Sequence, residues 1–177
     1  NGAEIWICPL ANPEGTYYLS SPVGSTIANS RRNNLSNVDL NRNYKDPADG
    51  DHPDGNAWQA ETQAFMTFAG NHHFNMGGNF HGGAEVMNYP WDTWTTADNP
   101  NADAAWWERV CTNYVTTARA VTAGYMTDTY ADGVTEGGDW YVITGGRQDY
   151  MNYFHQCREV TIELDDVKTT ATENLNG

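Results

Sequence analysis

Apolar and polar positions divide this chain into a few patterned segments separated by long polar stretches. Ala3 to Leu10 is short, apolar and β-branched, with Pro9 only near its end, which predicts a buried strand. Trp58 to Asn71 places Ala64, Phe65, Phe68 and Ala69 on one helical face and stops at Gly70, so a helix is expected there. A second helix is expected over about 102–123, where Trp106, Val110, Tyr114, Val115, Ala118 and Val121 recur at three- and four-residue steps. Phe74 to Phe80 predicts a strand leading into His81, and Arg158 to Leu164 alternates in the manner of another. Glu163 falls near the end of that last strand, between Ile162 and Leu164. It therefore faces away from both, into solvent or into a cleft.

Between these segments lie turns and loops. Asn12-Pro13-Glu14-Gly15 has turn chemistry. Asn29 to Tyr44 is polar, lacks periodicity and holds Arg31, Arg32 and Arg42; it is either a carboxylate-recognition loop, built from guanidinium forks and Asn amides, or a solvated one. Lys45 to Asn56 is a surface loop without the fixed ligand spacing of a calcium site. His72 and His73 are adjacent and cannot share a helical face, so they suit a polar helix end. Tyr125 to Gly146 predicts a long functional loop around Trp140 and Tyr141. With no internal repeat and with strands alternating with helices, the fold class is α/β: a mixed, mostly parallel twisted sheet with helices on both faces.

Composition narrows the partners. At 177 residues one domain is the expectation. A net charge of -14 excludes a phosphate-backbone partner, because nucleic-acid binders need a basic face, and it favours cationic substrates. No apolar run is long enough to span a bilayer. Seven Trp and ten Tyr, with few Lys and Arg, point to an extracytoplasmic protein, secreted or periplasmic. Cys8, Cys111 and Cys157 lack metal-type spacing and read as small buried apolar residues. The chemistry centres on Asn79 to Asp92. There His81 leaves a strand end beside two glycines, open to an ion or a substrate, although a lone histidine is more often simply packed.

Four stretches in order then resemble the zinc metallocarboxypeptidase family, in particular the branch with carboxypeptidases D, E, M and N. They are Val-Asp-Leu-Asn-Arg-Asn-Tyr at 38–44, His-Gly-Gly with Asn-Tyr-Pro-Trp-Asp over 81–92, Gly-Gly-Arg-Gln-Asp-Tyr at 145–150 and Glu-Val-Thr-Ile-Glu-Leu at 159–164. The resemblance implies a peptide substrate with a free C-terminus and Zn2+ as cofactor, with His81 as one metal ligand. It implies Glu163 as general base and Arg32 as the stabiliser of the developing oxyanion. Asn41 and Arg42 match the pair that grips the terminal carboxylate, and Tyr141, 22 residues before Glu163, matches the tyrosine that closes over it. Asp92 and Gln148 match positions lining the pocket for the departing residue, which implies a C-terminal Lys or Arg; Arg147 beside them would oppose such a residue if it turned inward.

One family motif is absent: none of the five histidines is followed three residues later by Glu, so the His-x-x-Glu pair of zinc ligands is missing. The expectation is that residues 1–177 are the C-terminal portion of a single catalytic domain, incomplete at both ends. Two further zinc ligands would then come from a missing N-terminal segment, and the piece by itself would be inactive. Rival readings are a zinc amidase of the same fold, acting on acylated amino acids or cell-wall peptides, and a non-catalytic glycan- or peptide-binding relative.

Overall fold

The computed structural model describes residues 2–167. The order of elements is α1 (Pro13–Thr16), a 3-10 turn (Leu40–Arg42), α2 (Ala60–Gly70), β1 (Met76–His81), β2 (Ala84–Tyr89), α3 (Ala104–Val121), β3 (Val134–Glu136), α4 (Gly137–Trp140), α5 (Arg147–His155) and β4 (Arg158–Asp165). The four strands form one sheet in the order β1-β4-β2-β3. β1 runs parallel to β4 and β2 parallel to β3, while β2 and β4 are antiparallel. The sheet is therefore mixed, with two parallel pairs and one antiparallel pair.

Period-two alternation gives the sheet two unlike faces. Met87, Val134, Val160 and Ile162 pack with Trp107, Cys111 and Val115 of α3 and with Met126. The buried stripe of α3 is thus Trp107, Cys111 and Val115 at four-residue steps, one position round from the expected face; Tyr114 and Val121 are exposed. On the opposite side α2 and α5 meet in a second cluster of Tyr44, Ala69, Tyr150, Met151 and Cys157, with Phe65, Met66, Phe74 and Phe154 against it. Helices cover both faces, in agreement with the expected fold class.

Several local expectations are corrected. Ala3 to Leu10 forms no strand, and Ile5 and Ile7 are 80% and 83% exposed. An apolar run becomes a strand only where a ladder and a face receive it, and among the described residues the ring contacts here are those of Trp6, edge-on to Phe68 and His72 at 5.4 and 5.0 Å. The Asn12 turn closes into α1, with the Asn12 side chain accepting from the Gly15 N–H at 2.9 Å. Cys111 and Cys157 are buried as expected, whereas Cys8 is exposed. The expected long loop over 125–146 contains β3 and α4.

Candidate active site

His81 ends β1 and stands in register with Glu163 on β4, so their side chains leave the same face of the sheet. The His81 Nδ1 lies 4.0 Å from Glu163 Oε1. Glu163 is 8% exposed, which settles the choice left open by its alternation: it faces a cleft. Burial, with the Arg32 guanidinium as the next cause, pushes His81 down to about 4, so its imidazole is neutral at neutral pH. Neutral imidazole is the form that ligates a metal.

The pocket around this pair brings together Arg32, Asn41, His81, Asp92, Tyr141 and Glu163, residues drawn from five separate stretches of sequence. Arg32 is exposed, and its Nε donates to Asp39 Oδ2 at 2.7 Å, leaving the outer nitrogens of the fork as further donors. Its carbonyl accepts from Asn12 Nδ2 at 2.8 Å, tying the loop to the cap of α1. Asp39 also caps the 3-10 turn by accepting from the Asn41 N–H at 3.0 Å. The Asn41 Oδ1 accepts from the Arg147 N–H at 2.9 Å, which fixes the orientation of its amide. Tyr141 follows α4 and is 48% exposed at the pocket mouth, its ring edge-on to Trp140.

Two expected site residues, Gln148 and Arg42, are not among those that form the pocket wall. Gln148 is 1% exposed; its Nε2 donates to Asp92 Oδ1 at 3.0 Å and Asn88 Oδ1 at 3.1 Å, and its Oε1 accepts from the Thr161 N–H at 2.7 Å. It is placed to orient the pocket, and the expectation that it lines the pocket is corrected. Arg42 also lies off the wall, with Nη1 donating to the Asn41 carbonyl at 2.6 Å. Asp92 is 4% exposed, and burial followed by the neighbouring Asp149 raises its pKa. The chain reaches Asp92 closely only because residue 137 is glycine: a Cβ there would sit 1.9 Å from Asp92 Oδ1 and 2.6 Å from Asn88 Oδ1.

Arg147 turns away from the pocket. Its Nη2 donates to Glu159 Oε2 at 2.9 Å, its Nε stands 2.9 Å from Glu159 Oε1 out of hydrogen-bond alignment, and its guanidinium lies 4.0 Å from the Phe65 ring centroid. The charge that would have opposed a cationic substrate is thereby directed at Glu159 and not into the pocket. Sequence reading missed three further wall residues, Asn88, Ile143 and Thr161. Thr161 was accessible to it, since period two puts residue 161 on the Glu163 face.

Among the described residues, no group of three or more His, Cys, Asp or Glu is placed to hold a metal ion. His81 fits a zinc ligand in its protonation state and position, and the described residues set no second and third ligand beside it. Nor is any described helix long and apolar enough to cross a membrane.

The fold is shared with the crystal structure of thrombin activatable fibrinolysis inhibitor, at a TM-score of 0.57 and 16% identity, over 75% of this chain and 35% of that one. That likeness speaks for the fold alone. In sequence, the chain is 35% identical to Carboxypeptidase D of Anas platyrhynchos across 97% of its own length and 13% of the relative's. It is 31% identical to Carboxypeptidase SOL1 of Arabidopsis thaliana, covering 98% of this chain and 33% of that one. To Carboxypeptidase M of Mus musculus it is 30% identical, covering 99% and 40%. The family described as zinc carboxypeptidase matches residues 1–175, and the chain belongs to it. It spans less than half the length of each of these relatives.

Proposed function

We propose that this chain carries the substrate-binding and proton-transfer part of a zinc-dependent exopeptidase that removes single C-terminal residues, Lys or Arg, from peptides. The observation that carries the reading is the pairing of His81 with Glu163 at facing register positions in one polar pocket. Zinc, when bound, supplies Lewis acidity at the scissile carbonyl. His81 is one of its ligands on this reading, and the described residues do not supply the full set.

Glu163 takes the proton of the attacking water and returns it to the departing amine. Its place on the central strand β4, between β1 and β2, keeps that carboxylate at a fixed height in the pocket. Arg32 offers donors to the oxyanion from a guanidinium already oriented by Asp39, so little reorganisation accompanies the reaction. Asn41 in the wall holds the terminal carboxylate, the neighbouring Arg42 supplies positive charge from beside the wall, and Tyr141 covers it from the mouth. Asp92 recognises the departing side chain. Burial beside Asp149 makes its ionised form costly, and a guanidinium or ammonium entering the pocket relieves that cost, whereas an apolar side chain does not. The acidic, Trp- and Tyr-rich composition supports a secreted or periplasmic setting.

A peptide panel tests the proposal: in the zinc-loaded enzyme, free C-terminal Arg and Lys are released faster than Phe or Leu, and amidated peptides are left intact. Faster release of Phe or Leu would overturn the specificity, and equal cleavage of amidated ends would remove the carboxylate grip.

A further inference from the structure

Asp46 lies outside the pocket wall, is 2% exposed, and takes part in none of the ion pairs among the described residues. A buried carboxylate without a cation must be held by hydrogen-bond donors, and four converge on this one. Its Oδ1 accepts from the Ala48 and Asp49 N–H groups at 2.8 and 3.0 Å. Its Oδ2 accepts from the Thr93 hydroxyl at 2.7 Å and from the Gly145 N–H at 2.8 Å.

Those donors come from the three segments that carry the substrate-facing side chains. Residues 46–49 follow the turn bearing Asn41 and Arg42, Thr93 follows Asp92, and Gly145 closes the stretch that begins at Tyr141. The segments also touch one another directly. The Tyr44 N–H donates to the Gly145 carbonyl at 3.1 Å and the Ile143 N–H to the Asp92 carbonyl at 3.0 Å. Gly145, with φ +71°, approaches so closely that a Cβ would sit 2.2 Å from the Arg42 carbonyl oxygen. Asp149 secures the other side of the middle segment, accepting from the Asp92 N–H at 3.0 Å through each oxygen and from the Thr93 N–H at 2.8 Å.

We propose that Asp46 is a positioning residue that sets the distance between the group gripping the terminal carboxylate and the Asp92 pocket, and so determines the length of C-terminal side chain the site accepts. The proposal rests on the function assigned above. A carboxylate suits the task because it accepts at every lone pair; an amide in its place turns a donor toward at least one pair of donors, whichever way it faces. The middle segment then loses its tie to the first segment and keeps only the Ile143–Asp92 backbone bond to the third, while the reacting groups on the sheet stay where they are.

The experiment uses the zinc-loaded enzyme and peptides ending in free Arg, Lys or Ala, with melting temperature recorded alongside. Thr93→Val removes one donor to Asp46 at constant shape. It is expected to lower the preference for Arg over Ala about three- to tenfold through KM, with kcat for Arg peptides unchanged. Thr93→Ser keeps the hydroxyl and restores the wild-type preference. Asp46→Asn lowers the preference further; if that variant fails to fold, the Thr93 pair decides. A wild-type preference in Thr93→Val, with only a lower melting temperature, would overturn the positioning role and leave the exopeptidase assignment standing. A wild-type enzyme that releases no residue from any free-ended peptide would overturn both.

Discussion

Along β4, Val160 and Ile162 face α3, while Glu159, Thr161 and Glu163 face the side covered by α2 and α5. The apolar face needs no partner beyond close packing. The other face buries carboxyls, and each must be answered locally: Glu159 by Arg147, Asp149 by the Asp92 and Thr93 amides, Asp92 by Gln148. Even so, burial raises Asp149 to about 6 and Glu159 to about 7. One strand thus joins a face that stabilises the fold to a face that costs stability and carries the chemistry, and a one-residue slip would exchange them.

The contrast is most sharply broken by one substitution on each side. On the polar face, Glu163→Gln keeps volume and shape but cannot take the proton of water. Turnover in the zinc-loaded enzyme is expected to fall about 10²- to 10⁴-fold, with the melting temperature close to wild type. Turnover within a few-fold of wild type would remove Glu163 as the base. On the apolar face, Trp107→Ala empties the centre of the α3 contact, where Trp107 is 1% exposed. A loss of about 3–5 kcal/mol in urea unfolding is expected, with KM for the surviving folded enzyme unchanged. If Trp107→Ala instead altered substrate preference at full stability, the division between the faces would fail.

The smallest effect is a pH slope. Burial raises the Glu159 carboxyl from its ordinary 4.5 to about 7, so the folded protein holds this proton more tightly than the unfolded chain does. The stability it contributes is fully present below pH 4.5 and is lost as pH rises through 7. Glu159→Gln removes that loss. Its melting temperature should gain on wild type between about pH 4.5 and 7 and hold a constant offset above. Parallel melting curves for the two proteins across that range would show that Glu159 does not titrate there.

How far the sequence could be read follows the same division. β4 was legible because its alternation is strict and its carboxylate falls on the polar beat, and the motif stretches held four residues that the fold brings to one pocket, Asn41, His81, Asp92 and Glu163. α5 was not legible: its first turns bury Gln148, Asp149, Tyr150 and Met151 in succession, so no amphipathic period marks them. What makes that helix possible is a set of polar partners on the sheet and in loops distant in sequence, which no local pattern contains. Ala3 to Leu10 failed in the opposite sense, for its apolar pattern is plain and the ladder it needs is not among the described residues. The support for Asp92 from Asp46 and Asp149 was equally out of reach, because it joins residues 47 to 57 positions apart.

Glu163 is in register with His81 on a parallel neighbour and with Val86 on an antiparallel one. A residue laddered on both sides opens only when the sheet does, so its amide belongs among the slowest to exchange with solvent water. Tyr141, half-exposed beyond a four-residue helix, stands at the other extreme. The two differ in clock as well as in place: whatever adjustment a peptide demands on entering the pocket falls on the tyrosine segment, while the carboxylate keeps still through many arrivals and departures.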